Sequence, residues 1–131
     1  MNLLEKTINK YLAYLNSIGI FATKLSAERL YDGTYLNGEP FDYIILKDKA
    51  ICFDAKESHG EYIQVKEKEL KQLKNLLMCE SKGHSAFFLC YFYKYKKLCY
   101  ITASDTQKLL TKKSQIKHTD CVPIVDIQSI M

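Results

Sequence analysis

The sequence predicts an α/β fold in which a central mixed β-sheet is flanked by helices, and three observations lead there. Apolar residues recur at helical spacing at Leu4, Ile8, Tyr11, Leu12, Leu15 and Ile18, and again at Val65, Leu70, Leu73, Leu76 and Leu77, which marks two amphipathic helices. Runs rich in aromatic and β-branched residues occupy 41–46, 51–55, 86–95 and 98–102, bounded by polar turns as strands are. The first two of these runs are apolar on both faces, so their sheet must be covered on each side. Helix, strands, helix, strands, helix is the order of an α/β sandwich.

Each element has its own signal. The first helix covers residues 2–18 and is ended by Gly19, with Glu5 at the edge of its apolar stripe. A short strand at 20–25 follows, then a polar stretch with the turn signals Asp32-Gly33 and Asn37-Gly38. Strands 41–46 and 51–55 are joined by the turn Lys47-Asp48-Lys49, and 57–61 reads as a loop. The second helix spans 66–80 and closes near Gly83. Strands 86–95 and 98–102 surround the turn Lys94-Tyr95-Lys96-Lys97. Along the first of them Tyr91, Tyr93 and Tyr95 alternate, which reads as one packed face or a stacking surface for bases. Ser104 or Asp105 caps a third helix through Leu110, the basic segment 112–117 is a loop, and 122–127 is a final short strand.

Composition narrows the function classes. At 131 residues the chain is a single domain, 1–131, large enough to bury a core without metals or disulfides. Hydrophobic content of 47% with 26% charged residues fits a globular protein rather than a disordered one. The N-terminus has no basic lead followed by an apolar run, so a cytoplasmic protein is expected. The longest apolar stretch, 86–93, is too short to span a bilayer, and no membrane role is expected. The five cysteines are odd in number, include no C-x-x-C pair and read as reduced, buried residues. The three histidines fall in polar loops without ligand spacing. A net charge of +4 matters only if its lysines share a face.

The chemistry concentrates in one hairpin. Asp42 is followed twelve residues later by Asp54-Ala55-Lys56. On a strand Asp54 and Lys56 point to the same face, and carboxylates beside an ammonium suit the cleavage of a phosphodiester assisted by a hard cation. For Asp42 to join that face, the hairpin needs an odd-length loop or a bulge. The acid-x-Lys triplet recurs at Glu69-Leu70-Lys71 and Glu80-Ser81-Lys82. Those copies fall in or just after a helix, where i and i+2 diverge by about 200° and make no compact site.

These residues resemble the PD-(D/E)xK nuclease superfamily, and more closely the RecU-type Holliday junction resolvases of Gram-positive bacteria and their phages. Leu4-Glu5 is similar to that family's N-terminal acid, Asp42-Tyr43 to its Thr-Asp-Tyr motif, and Phe53-Asp54-Ala55-Lys56-Glu57 to its Phe-Glu-Ala-Lys-Glu. Gln72, Gly83, Ala86-Phe87-Phe88-Leu89, Leu98-Cys99-Tyr100-Ile101 and Lys112-Lys113-Ser114 fall in matching places, so the resemblance covers most of residues 4–125. Here Asp54 stands for the family's Glu, and Pro40-Phe41 for its hydroxyl residues. The segment between Leu25 and Asp42 is shorter than the family's junction-entering stalk.

The resemblance implies a restriction-endonuclease-like core and a metal-dependent endonuclease that makes paired symmetric nicks in four-way DNA junctions. Asp42, Asp54 and the Ala55 carbonyl would hold Mg²⁺, with Mn²⁺ as a substitute and Glu5 adding a ligand directly or through water. Lys56 would orient the attacking water or stabilise the phosphorane, and Gln72 would hold Lys56 or a water. DNA phosphates would meet Lys66, Lys68, Lys94, Lys96, Lys97, Lys112, Lys113 and Lys117. Two symmetric cuts require two sites, hence a homodimer. Two other readings share these residues: a nuclease of the same fold acting on other DNA, and a non-catalytic DNA-binding module.

Overall fold

A computed structural model describes residues 2–25 and 41–130. The turn signals Asp32-Gly33 and Asn37-Gly38, Pro40, and nearly all of the shortened segment before Asp42 lie outside the described residues.

Helix α1 (Leu3–Ser17) starts where the Asn2 side chain accepts the Glu5 N–H, an N-cap that satisfies a donor the helix itself cannot. It stops at Gly19, whose φ of 87° a side-chain-bearing residue rarely adopts. Asn16 then ties the helix to the first strand, donating to the Ala22 carbonyl at 2.7 Å and accepting the Ala22 N–H at 3.2 Å. Strands β1 (Ala22–Lys24), β2 (Tyr43–Leu46) and β3 (Ala50–Ser58) form an antiparallel meander. Strand β4 (Tyr62–Gln64) leads into helix α2 (Glu67–Ser81), which crosses back so that β5 (Ser85–Phe92) lies parallel to β3. Strand β6 (Lys97–Thr102) pairs antiparallel with β5 and is followed by helix α3 (Ala103–Leu109), β7 (Gln115–Lys117) and β8 (Val122–Pro123). The main sheet has the order β1-β2-β3-β5-β6-β8, while β4 and β7 form a separate antiparallel ribbon.

The sheet is covered on both faces, as its doubly apolar strands require. Against α1 lie Tyr43, Ile45, Ile51, Phe53, Phe87 and Leu89, with Tyr43, Phe53 and Phe87 stacked at centroid distances of 5.0 and 5.3 Å. Against α2 lie Phe41, Cys52, Phe88, Cys90 and Phe92, meeting Leu73 and Leu76 of the helix. All five cysteines are free thiols, four buried and Cys79 half-buried. No helix among the described residues is long and apolar enough to cross a membrane.

Several boundaries depart from the sequence reading. The loop expected at 57–61 is split, because β3 runs through Ser58 and β4 begins at Tyr62. The basic segment 112–117 is not all loop: its last three residues form β7 and pair with β4. Strand 86–95 ends at Phe92, and Tyr93–Tyr95 turn as a 3-10 helix completed by Lys96 in the left-handed region at φ 48°. Tyr91, Tyr93 and Tyr95 therefore do not share one strand face. Thr102, rather than Ser104 or Asp105, caps α3 by accepting the Asp105 N–H. Of the strand expected at 122–127, only Val122–Pro123 pairs.

Candidate active site

The β2–β3 hairpin sets the site by its register. Tyr43 pairs with Phe53 and Leu46 with Ala50, which leaves three turn residues, an odd number, and puts Asp42 opposite Asp54 one step beyond the last paired residues. The hairpin thus meets the face condition without a bulge. Past this point β2 has ended, and the Asp42 carboxylate replaces it by accepting the Ala55 N–H at 3.4 Å.

Asp54 and Lys56 lie on the α2 side of β3, the side of Ala50 and Cys52. Asp54 is fully buried and Lys56 half-buried. Gln72, buried on α2, donates from Nε2 to Asp54 Oδ1 at 3.1 Å. The Lys56 ammonium stands 3.0 Å from Asp54 Oδ2 and 3.2 Å from Glu69 Oε2. Gln72 therefore holds the acid, not the lysine.

Electrostatics follow from this crowding. Burial raises the Asp54 pKa to about 7, the Asp42 charge adds to the rise, and Lys56 opposes it. For Lys56 burial acts downward, but the carboxylates of Asp54 and Glu69 outweigh it and hold the ammonium above its ordinary pKa. Burial acts upward on Glu69, and it is overcome by the Lys66 backbone N–H and by Lys56, so its pKa is lowered. Asp54 Oδ2 has the Lys56 ammonium as its partner, while Gln72 Oε1 is buried without a hydrogen-bond donor, and a buried polar atom left in that state calls for a ligand or water.

Glu5 reaches this region from the opposite side. It lies in the first turn of α1, which packs on the other face of the sheet. Burial raises the pKa of the Tyr43 phenol, and the charges of Asp42, Glu5 and Asp54 add to that rise, so all three acids act on one point. Among the described residues no group of three or more His, Cys, Asp or Glu side chains stands ready to hold a metal ion. The compact set is Asp42, Asp54, Lys56 and Gln72, with the Ala55 carbonyl between the two β3 residues.

Two acids that sequence reasoning left without a role belong to this neighbourhood. Glu69 grips Lys56, and it opened a triplet set aside as helical. The same helical spacing was the available signal, since Glu69 and Gln72 are three apart and share a face of α2. Its triplet partner Lys71 pairs with Glu67 instead, at 3.6 Å. Glu57 Oε1 accepts the Leu4 N–H at 2.9 Å and the Tyr93 hydroxyl at 3.0 Å, fastening the start of α1 to the end of β3.

The expected DNA-contacting lysines gather around the β4–β7 ribbon. Tyr62 pairs with Lys117, and the Val65 N–H donates to the Ser114 carbonyl, so the segments near Lys66 and Lys112 are neighbours. The 93–96 turn joins them through the Tyr95 hydroxyl on Glu61 at 2.7 Å and the Tyr95 ring stacked on His118 at 3.9 Å. Lys66, Lys68, Lys94, Lys96 and Lys112 are exposed, and half-buried Lys117 lies over the Tyr62 ring at 5.9 Å. Lys97 and Lys113 are already engaged, Lys97 donating to the His118 carbonyl at 2.7 Å and Lys113 paired with Asp120 at 2.7 Å. Internal bonds of that kind leave their ammonium groups less available to phosphate.

Comparison with known proteins places this arrangement. No curated protein matches the sequence. Among solved structures, the chain resembles Hjc, a Holliday junction resolvase from the archaeal hyperthermophile Archaeoglobus fulgidus. The TM-score is 0.61 at 12% identity, over 97% of this chain and 99% of that one. At that identity the likeness shows the fold, and the core is restriction-endonuclease-like as expected. The sequence itself matches recombination protein U, RecU, over residues 7–129. That span takes in Asp42, Asp54, Lys56 and Gln72 and nearly every described element, and the chain belongs to the RecU family.

Proposed function

We propose that this protein is a metal-dependent DNA endonuclease that resolves four-way junctions by paired symmetric nicks, acting in the cytoplasm as a homodimer. The observation that carries the reading is Asp42 opposed to Asp54 across the hairpin, with Lys56 3.0 Å from Asp54 on the same face. Family membership and the likeness to Hjc, itself a Holliday junction resolvase, support the choice of substrate.

The residues fit a hard cation. Two carboxylates and a backbone carbonyl are oxygen donors, and the Gln72 amide that holds Asp54 keeps its own Oε1 buried with no hydrogen-bond donor. Asp42, Asp54 and the Ala55 carbonyl would hold Mg²⁺ or Mn²⁺, with Glu5 adding a ligand directly or through water. Bound there, the cation supplies Lewis-acid stabilisation of charge on the cleaved phosphate. Gln72 fixes the Asp54 carboxylate by its Oδ1, which leaves Oδ2, shared with Lys56, as the oxygen for the cation. Lys56 carries an ammonium to the attacked phosphate, where it orients water and offsets developing charge. Lys66, Lys68, Lys94, Lys96, Lys112 and Lys117 neutralise DNA phosphates along the ribbon side of the site. Two strands cut symmetrically require two such sites related by a two-fold axis.

The test is cleavage of labelled four-way junction, duplex and single-stranded DNA with Mg²⁺ or EDTA, beside Asp54→Asn. Paired nicks in the junction that vanish in EDTA and in the variant are the expected result. Metal-dependent cutting of linear DNA alone would keep the site and discard the junction substrate. Binding without cutting would discard the enzyme.

A further inference from the structure

Lys56 has two carboxylate partners, and only one of them belongs to the cation set. Asp54 Oδ1 is taken by Gln72 at 3.1 Å, so Oδ2 is the oxygen that both Lys56 and a divalent cation would use. An ammonium and a cation compete for the same oxygen, and a lysine tethered to Asp54 alone would be released on its flexible stem whenever the cation bound. Glu69 removes that difficulty. Its Oε2 lies 3.2 Å from the Lys56 ammonium, while its Oε1 accepts the Lys66 backbone N–H at 3.0 Å. The second bond orients the carboxylate, because it caps the first turn of α2, where Lys66 itself has no side-chain acceptor.

We propose that Glu69 is the anchor that keeps Lys56 over the site when Asp54 Oδ2 is given to the cation, a positioning residue for the cleavage reaction; this rests on the nuclease reading above. Glu69 touches neither substrate nor cation. It acts through Lys56, and it links the catalytic lysine to the end of α2 that carries the exposed Lys66 and Lys68.

Glu69→Gln separates this role from helix capping, since the amide oxygen still accepts the Lys66 N–H while the charge facing Lys56 is lost. The expected result is a kcat at saturating Mg²⁺ lowered at least ~10-fold, with KM and Tm unchanged. A kcat within about two-fold of wild type, or a loss carried by KM alone, would overturn the proposal. Calorimetric titration with Mn²⁺, without DNA, gives a readout independent of turnover. Lys56 left to Asp54 alone competes harder for Oδ2, so Glu69→Gln should bind Mn²⁺ about five-fold or more weakly. If the wild type cuts no DNA, the nuclease reading fails while the Mn²⁺ isotherms still decide on Glu69: weaker binding by the variant supports the anchor, and equal binding sinks it. Absence of Mn²⁺ binding by the wild type would sink both.

Discussion

Asp54 is held by its surroundings in a state that opposes its own charge. Its pKa is raised to about 7, first by burial and then by Asp42, against the pull of Lys56. The folded chain therefore binds more protons than the unfolded chain between the ordinary carboxylate value and about 7, and stability falls as pH rises through that window. Above it the buried charge is present in full, at a cost on the order of a few kcal/mol. Asp54→Asn should raise Tm by several degrees at about pH 8, and the advantage should shrink toward about pH 5. Thermal melts across pH check this, and an advantage that does not change with pH would refute it. The cost is of the kind that active sites carry, where groups are placed for reaction rather than for stability. At this scale the shared face of Asp42, Asp54 and Lys56 was legible, because strand alternation and an odd turn fix who faces whom, whereas Gln72 on α2 entered through the family resemblance and with a different partner expected. Glu69 and Glu57 were not legible, because their partners, Lys56 and the Leu4 N–H, come from other elements.

The β4–β7 ribbon was the element least visible beforehand. Its strands are three residues each and carry one buried residue apiece, Ile63 and Ile116, too short a pattern for alternation to register. The hairpin that bears the acids was clear because its strands are apolar on both faces and end in a polar turn. Once the ribbon forms, it separates the exposed lysines from Lys97 and Lys113, which are less exposed and bonded internally. Lys112→Ala should lower the slope of log affinity for DNA against log salt by about one, with Tm unchanged. Lys97→Ala, which loses the bond to the His118 carbonyl, should instead cost about 1 kcal/mol of stability and leave the slope alone. Anisotropy titrations of labelled DNA over a salt series, paired with melts, separate the two. Equal slope changes for both variants would show that Lys97 leaves His118 to meet phosphate.

Over the whole molecule, two apolar layers enclose one sheet, and the thiols report on it. Burial, with the neighbouring Cys79 thiol, pushes Cys52 up to about 12, while a hydrogen bond with Cys121 and burial raise Cys99, and a hydrogen bond with Cys90 and burial raise Cys121 against the opposing effect of Cys99. Native protein titrated with a disulfide reagent near neutral pH should expose at most the half-buried Cys79 quickly. All five thiols should react in denaturant. Rapid reaction of Cys90 or Cys99 in native buffer would mean that β5 and β6 open locally.

The sequence by itself determined the layered α/β class, the alternation helix, strands, helix, strands, helix, and the acid and lysine face of the hairpin. These depend on periodicity and on neighbours a few residues apart, which the chain records directly. The tertiary structure decided that the β4–β7 ribbon exists, that Gln72 holds Asp54 rather than Lys56, that the helix bearing Glu5 lies on the opposite face of the sheet, and that Glu69 grips Lys56. Each of those depends on how α1 and α2 lie against the sheet, and long-range packing between elements leaves no local period in the chain.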